Sequence, residues 1–456
     1  MTSATTPLTP TLHNVSLRDV KIATWICFFA WTFAVYDFVL FGNLLPSFAA
    51  DMGWTAPQST SINTWVTVGT AIVAFAIGPI VDRIGRRKGI IISVIGAAVA
   101  SLLTAVAGWV IGVAAGLGIV FLLLVRSIAG LGYGEQALNA TYLNELFARV
   151  YNKPGQAKRR GFIYSLVQSG WPVGSVIAAA SIYVLFPIGG WALCFVVAVF
   201  PAIFIVIAGR WLKESPQFLN RKNALELLKA GHTEQAHAFA KEAGVSIHET
   251  STPLAAVFKG ESLRAVVFIG LGFMLSWFGV LAFVILGTSI LTADSGKGIE
   301  FSDALGILII SNATSFFGYL FHGWLGDRIG RRNTISLGWL LSAVSFALML
   351  WAPSDNGTLI IVLYSAGLFF LIGPFAALLF FNGESFPVET RATGGAIINA
   401  LGQVGAIVAG IAITAGLSAG LAWVDVALWW GALPILLAAI ILLAARNVKP
   451  TAVRND

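Results

Sequence analysis

The chain has 456 residues, of which 57% are hydrophobic and 11% charged, and its mean hydropathy is +0.84. An average soluble domain carries roughly a quarter charged residues, so this composition excludes a water-soluble globule. The formal charge of +7 does not point to nucleic acid, because the basic residues are spread over short loops and tails between apolar runs and form no patch on one module.

From the N-terminus, Met1 to Val20 is polar and rich in Thr and Ser. It lacks the basic-then-apolar order of a cleaved signal peptide, so the first apolar run is expected to stay as a helix. Crossing the hydrocarbon core takes roughly 20 apolar residues. That rule predicts twelve spans: 22–49, 60–81, 89–108, 110–134, 162–186 and 190–212, then 264–292, 304–325, 334–352, 357–382, 393–417 and 422–445. The expected organisation is a tail (1–21), an N-terminal six-helix bundle (22–212), a linker (213–263), a C-terminal six-helix bundle (264–445) and a second tail (446–456). Asp51-Met-Gly, Ala352-Pro-Ser-Asp-Asn-Gly357 and Ser418-Ala-Gly420 read as turns on one face. In the linker, Leu225, Leu227 and Leu228 beside Glu226 and Lys229 predict short amphipathic helices on a solvated surface segment. Cys27 and Cys194 both fall inside apolar runs and read as packing residues, with no disulfide or metal expected.

Orientation follows from Lys and Arg. Of the 28, Lys297 alone falls in a far-side loop and Arg126 inside a span, so the positive-inside rule puts both termini and the linker in the cytoplasm. The densest basic turns are Gly78-Pro-Ile-Val-Asp82-Arg83-Ile-Gly85-Arg86-Arg87-Lys88 and Gly323-Trp-Leu-Gly-Asp327-Arg328-Ile-Gly330-Arg331-Arg332-Asn333. Neither can sit in hydrocarbon, and their seven identities in eleven positions indicate two related halves.

Inside the spans, charge is the informative feature. A carboxylate near the bilayer centre costs on the order of 2.5–3.5 kcal/mol even on insertion scales. Asp37, within Val35-Tyr-Asp-Phe-Val-Leu-Phe-Gly42, is therefore either a proton-binding site or one half of a static ion pair. Arg126 is its natural partner, and a guanidinium at that depth can hold a substrate carboxylate or alternately hold Asp37. Glu135 lies nine residues further on, roughly 13 Å along the helix axis, too far to join that pair. It is open as a second proton site, a cytoplasmic-gate carboxylate or a packing group. His322, just before the second basic turn, reads as interfacial. Asn43, Asn139, Gln168, Trp171, Trp277, Asn312, Asn382 and Gln403 are expected either to line a cavity or to bond helices together. For the basic turns, Arg86 and Arg87 with Asp82, and Arg331 and Arg332 with Asp327, can reach Glu145 and Glu384 at neighbouring helix ends and latch one state.

The repeated Gly-x-x-x-Asp-Arg-x-Gly-Arg-Arg resembles the signature loop of the major facilitator superfamily, and Glu384-Ser-Phe-Pro387-Val-Glu-Thr-Arg391 resembles its element after the tenth helix; Glu145 to Arg160 is a stretched counterpart. Tyr36-Asp37-Phe38, Gly134-Glu135 and Glu214-Ser-Pro-Gln-Phe218 look like the metabolite:proton symporter family, although Ala34-Val35 replace its usual Glu-Trp. Sugar porters share several of the same marks. The resemblance implies an all-α membrane protein with a midplane cavity between two six-helix bundles. It further implies symport of protons with a small carboxylate, or alternatively a sugar or polyol, with Tyr36 and Arg126 at the substrate, Asp37 and Glu135 carrying protons, and Arg160 and Arg391 joining the gates. A bacterial cytoplasmic membrane and a monomer are expected. No Gly-x-x-x-x-Gly-Lys-Ser/Thr occurs, so direct use of ATP is not expected; nor does a catalytic or metal-ligand cluster stand out, so neither an enzyme nor a cofactor is expected.

Overall fold

A computed structural model describes residues 11–151, 157–245, 254–386 and 390–447. Among these, eleven helical stretches are long and apolar enough to cross a membrane. One of them, Ile163–Ala208, has 46 residues. At 1.5 Å per residue it would run about 69 Å if straight, more than twice the hydrocarbon thickness. It folds back at Gly189 and Gly190, the latter at φ 63, which a side chain would strain. Counted as two crossings, it supplies the fifth and sixth of twelve spans.

The other spans begin and end for local reasons. The first, Leu17–Met52, starts at a capping box in which Ser16 and Asp19 satisfy each other's backbone N–H, and ends at Gly53 in the left-handed region. The second, Ala56–Ile84, starts from the Thr55–Gln58 box. Gly85, at φ 105, separates it from the third, Arg86–Val113, and Gly330, at φ 90, separates the eighth, Phe301–Ile329, from the ninth, Arg331–Trp351. The fourth is Ala115–Val150, the tenth Gly357–Leu378, the eleventh Thr393–Ser418 and the twelfth Trp423–Leu442. The seventh, Gly260–Ile285, ends in a π-helical turn over Leu281–Ile285 and resumes after Leu286 as Gly287–Thr292.

Within the first half, the first span packs on the fourth and fifth, and the second and third pack on the fourth. Within the second half, the seventh packs on the eleventh and twelfth, and the tenth on the eighth and ninth. The halves meet through the second and eleventh spans, the fifth and eighth, and the first and seventh. Large apolar side chains such as Trp65, Trp109, Leu117, Phe200, Phe317 and Trp351 face outward, as a lipid-facing surface requires. Lys297, expected in a far-side loop, is not a free charge. It is buried, and its Nζ donates to the carbonyls of Leu350 at 2.8 Å and Ala352 at 2.7 Å, closing the end of the ninth span.

The linker forms two helices, Pro216–Lys229 and Thr233–Ala243, which share a small core of Leu227, Ala236, Phe239 and Ala240. Instead of being merely solvated, it is tied down. Arg149 Nη2 donates to the Ala243 carbonyl at 2.5 Å, and Asn220 bonds both the N–H and the carbonyl of His13 from the N-terminal segment.

Candidate functional site

The fourth span carries two buried charges, Arg126 and Glu135. Its helix is interrupted around Ala129, where Gly130 lies so close to the second span that a Cβ would stand 2.7 Å from the Thr70 Cα. One turn before the break, Arg126 is 2% exposed. Its Nη1 is 3.6 Å from Asp37 Oδ1, and its Nη2 donates to the Asp37 carbonyl at 3.4 Å. The guanidinium also lies over the rings of Phe41 and Phe195, 5.1 and 5.9 Å from their centroids. Asp37 Oδ1 accepts a hydrogen bond from the Ser101 hydroxyl of the third span, while Asp37 Oδ2 and Arg126 Nε have no protein partner. This is a loose pair, long for a charge-assisted bond and with spare valence on both sides. Two buried charges held this way are poorly compensated, which suits a pair that exchanges partners better than one that clamps helices.

Arg126 forms one wall of a cavity of about 20 Å³ at the bundle interface. Phe38, Phe41, Asn63, Thr67 and Thr70 line it from the first half; Trp277, Leu281, Ile285, Gln403 and Ala406 line it from the second. Trp277 stacks edge-on against Trp171 and Tyr133. Asn63 was missed in the sequence. Its signal was Thr60, Asn63, Thr67 and Thr70, a polar stripe at helical spacing on an apolar span.

Three consecutive residues of the first span point three ways, as 100° per residue demands. Phe38 faces the cavity and Asp37 the third and fourth spans. Tyr36, expected at the substrate, is 2% exposed and packs against the fifth span instead, where a Cβ on Gly174 would stand 3.0 Å from its backbone nitrogen. Asn312 also lies off the cavity and donates to its own helix at Leu308, 2.8 Å away. Gln168 sits in a chain with Gln136 and Tyr164. Asn139 donates to the Cys27 carbonyl at 2.9 Å and so bonds the first and fourth spans together. Asn43 and Asn382 are buried with an unpartnered Oδ1 each, away from the cavity walls. Glu135 is fully buried in the first bundle, and neither carboxylate oxygen has a hydrogen-bond partner. His322, expected at the interface, is 1% exposed and holds the Gly318 carbonyl at 2.8 Å beside Phe369 and Phe370. The eighth span runs on for seven residues past it.

At the basic turns the halves repeat one pattern. Arg86 binds Asp82 at 2.5 Å and Glu145 at 3.3 Å; Arg331 binds Glu384 at 2.8 Å and Asp327 at 3.6 Å. The second arginine of each turn does not reach an acid. Arg87 donates to the Gly209 carbonyl at 3.0 Å, and Arg332 to those of Leu443 and Ala445 at 3.1 Å, so each holds the end of its bundle's last span. Glu214 takes a role that its motif did not reveal: its Oε1 accepts the N–H groups of Arg86 and Arg87 and caps the third span. The side chains of Arg160 and Arg391 lie outside the described residues.

Residues 26–444 match the family model described as "Sugar (and other) transporter". The niacin transporter NiaP of Acinetobacter baylyi is 25% identical over 86% of this chain and 85% of its own length. The gallate transporter of Pseudomonas putida is 26% identical over 89% and 88%, and a probable 4-methylmuconolactone transporter of Cupriavidus pinatubonensis 26% identical over 82% and 78%. Among solved structures, a D-xylose–proton symporter superposes with a TM-score of 0.69 over 95% of this chain and 100% of that one at 16% identity, a likeness of fold.

Proposed function

Since the chain belongs to the sugar (and other) transporter family and is a multi-pass membrane transporter of the major facilitator type, not an enzyme, we propose that it moves a small organic anion together with a proton by alternating access. One observation carries this reading: at the bundle interface a buried arginine is only loosely held by a buried aspartate. A neutral sugar would leave that guanidinium uncompensated, whereas a carboxylate would complete it. The transporters of niacin and gallate among its relatives support the anion.

In the cycle we infer, protonation of Asp37 releases Arg126, which takes the substrate carboxylate. One negative charge crosses with one proton, so the loaded carrier is electroneutral and avoids the roughly 2.3 kcal/mol per 100 mV that a net charge would feel. The Arg86–Glu145 and Arg331–Glu384 pairs tie the basic turns to neighbouring helix ends and part when the cytoplasmic side opens. Loss of the proton from Asp37 to the cytoplasm then draws Arg126 back and expels the anion. Glu135, buried without a partner, is a second stop for the proton on its way to that side. We place the protein in a bacterial cytoplasmic membrane as a monomer with both termini inside, which the loop charges support.

The test is uptake into proteoliposomes. An inward proton gradient should drive accumulation, and collapsing the pH gradient and the potential should abolish it. Asp37→Asn should lose accumulation and keep counterflow exchange, while Glu135→Gln should slow proton-driven uptake more than exchange. Accumulation that survives without any proton gradient overturns the coupling; loss of exchange as well in Asp37→Asn reduces Asp37 to a structural role.

A further inference from the structure

The cavity walls hold more chemistry than Arg126. Among the described residues that line it, the buried polar side-chain atoms without a hydrogen-bond partner are Arg126 Nε and Nη1, Asn63 Nδ2, Gln403 Nε2 and Trp277 Nε1. All are N–H donors. Asn63, Gln403 and Trp277 are 3%, 4% and 4% exposed, so water does not freely serve them. An unmade hydrogen bond at a buried donor costs more than a made one gains, so such a set selects a ligand that brings acceptors.

The donors are also divided. Arg126 and Asn63 stand on the fourth and second spans, Trp277 and Gln403 on the seventh and eleventh. A ligand that serves both groups touches both bundles at once. The rest of the wall is largely apolar: Phe38 and Phe41 from the first bundle and Leu281, Ile285 and Ala406 from the second, with the Trp277 indole among them, offer aromatic faces and aliphatic groups that suit a flat apolar ring.

We propose that Asn63, Gln403 and Trp277 form a second subsite for the transported anion, and that the anion is a flat aromatic or heteroaromatic monocarboxylate with a hydrogen-bond acceptor on its ring. Arg126 takes the carboxylate, Asn63 bonds the ring acceptor from the same bundle, and Gln403 and Trp277 bond it from the opposite one. A sugar brings neither a carboxylate for Arg126 nor a flat face for the aromatic side chains. In the closed arrangement the cavity is about 20 Å³, whereas a benzene-sized ligand occupies a cavity of roughly 150 Å³. The ring therefore enters only when the bundles part, and its acceptor draws them together again. This assignment rests on the anion reading above.

Binding to the purified full-length protein is measured by indole fluorescence and calorimetry, with nicotinate, 4-hydroxybenzoate, benzoate, cyclohexanecarboxylate, succinate and D-xylose as probes. Nicotinate or 4-hydroxybenzoate should bind about tenfold tighter than benzoate, one well-made hydrogen bond's worth, and benzoate tighter than cyclohexanecarboxylate. Gln403→Leu and Asn63→Leu should each shrink the tenfold ratio towards one. The near-isosteric Gln403→Glu, which replaces a donor by an acceptor, should do so while preserving the fold. The proposal is overturned if the ratio is absent in the wild type, or if it persists in all three variants. Proton-driven uptake of succinate with no binding of any ring probe overturns this subsite and leaves the anion reading standing. Binding of D-xylose with no binding of any carboxylate overturns both.

Discussion

Gly42 on the first span and Ile285 at the end of the π-helical turn of the seventh meet backbone to backbone where the two bundles close at the end opposite the basic turns. A Cβ on Gly42 would be driven into the Ile285 carbonyl oxygen and stand 2.8 Å from its Cγ2, and the Gly42 carbonyl accepts a hydrogen bond from Thr288 at 3.2 Å. Gly42→Ala should therefore tax only the conformation in which this side is shut. Overpacking of this kind costs about 1–3 kcal/mol, which shifts the closed-to-open ratio about 5- to 150-fold. Thr60 supplies a reporter. It is 1% exposed and bonds Thr414 of the other bundle at 3.0 Å on the same side. In a Thr60→Cys background, a membrane-impermeant maleimide should label slowly when Gly42 is present and faster by that factor in Gly42→Ala, while uptake falls. Gly306→Ala, where nothing lies within 4 Å of the added carbon, is the control and should change neither. Equal labelling in Gly42→Ala and the control would show that the contact at Gly42 does not govern closure.

Arg126→Lys keeps the charge but removes the fork that can hold a carboxylate and Asp37 in turn, so kcat/KM for uptake should fall at least tenfold with the protein still folded by size-exclusion and circular dichroism. Glu384→Gln and Arg331→Gln should each raise labelling of cysteines placed on the cytoplasmic side; if the pair acts as one latch, the double variant should label no faster than either single one. Lys297→Met removes both donors that close the ninth span and should lower Tm by a few degrees. Burial holds the Lys297 ammonium below its ordinary range, so unfolding takes up a proton in the alkaline window beneath about 10.4; the Tm advantage of wild type over Lys297→Met should then grow as pH rises into that window, and a shrinking advantage would contradict the assignment.

Twelve spans were legible because hydrocarbon imposes one simple length and polarity rule, and because turns must carry the charge. Among the described residues one helical stretch, Ile163–Ala208, covers two crossings, and Pro187, Gly189 and Gly190 mark its fold-back in the sequence. Charged residues of the interior were legible for the same reason: Asp37, Arg126 and Glu135 are conspicuous wherever charge is costly. Which way each side chain faces was not. Tyr36 and Phe38 flank Asp37 and look alike in the sequence, yet only Phe38 reaches the cavity, because rotation about the helix axis is set by the neighbours that each face packs against.

The amino-acid sequence by itself determined the membrane class, the twelve crossings, the duplication carried by Asp82-Arg83-Ile-Gly85-Arg86-Arg87 and Asp327-Arg328-Ile-Gly330-Arg331-Arg332, and the buried charges, since each follows from transfer energies along a single chain. The tertiary structure alone decided that Ser101 joins the Asp37–Arg126 pair that the sequence offered, and that the guanidinium holds the carboxylate only loosely. It also decided that Asn63 and Gln403, from different bundles, share one cavity, and that only the first arginine of each turn reaches the expected Glu145 or Glu384 while the second holds a helix end. These are contacts between spans, and the choice among possible pairings is made by packing, through glycines such as Gly42 and Gly130 that let backbones approach where no hydropathy rule discriminates.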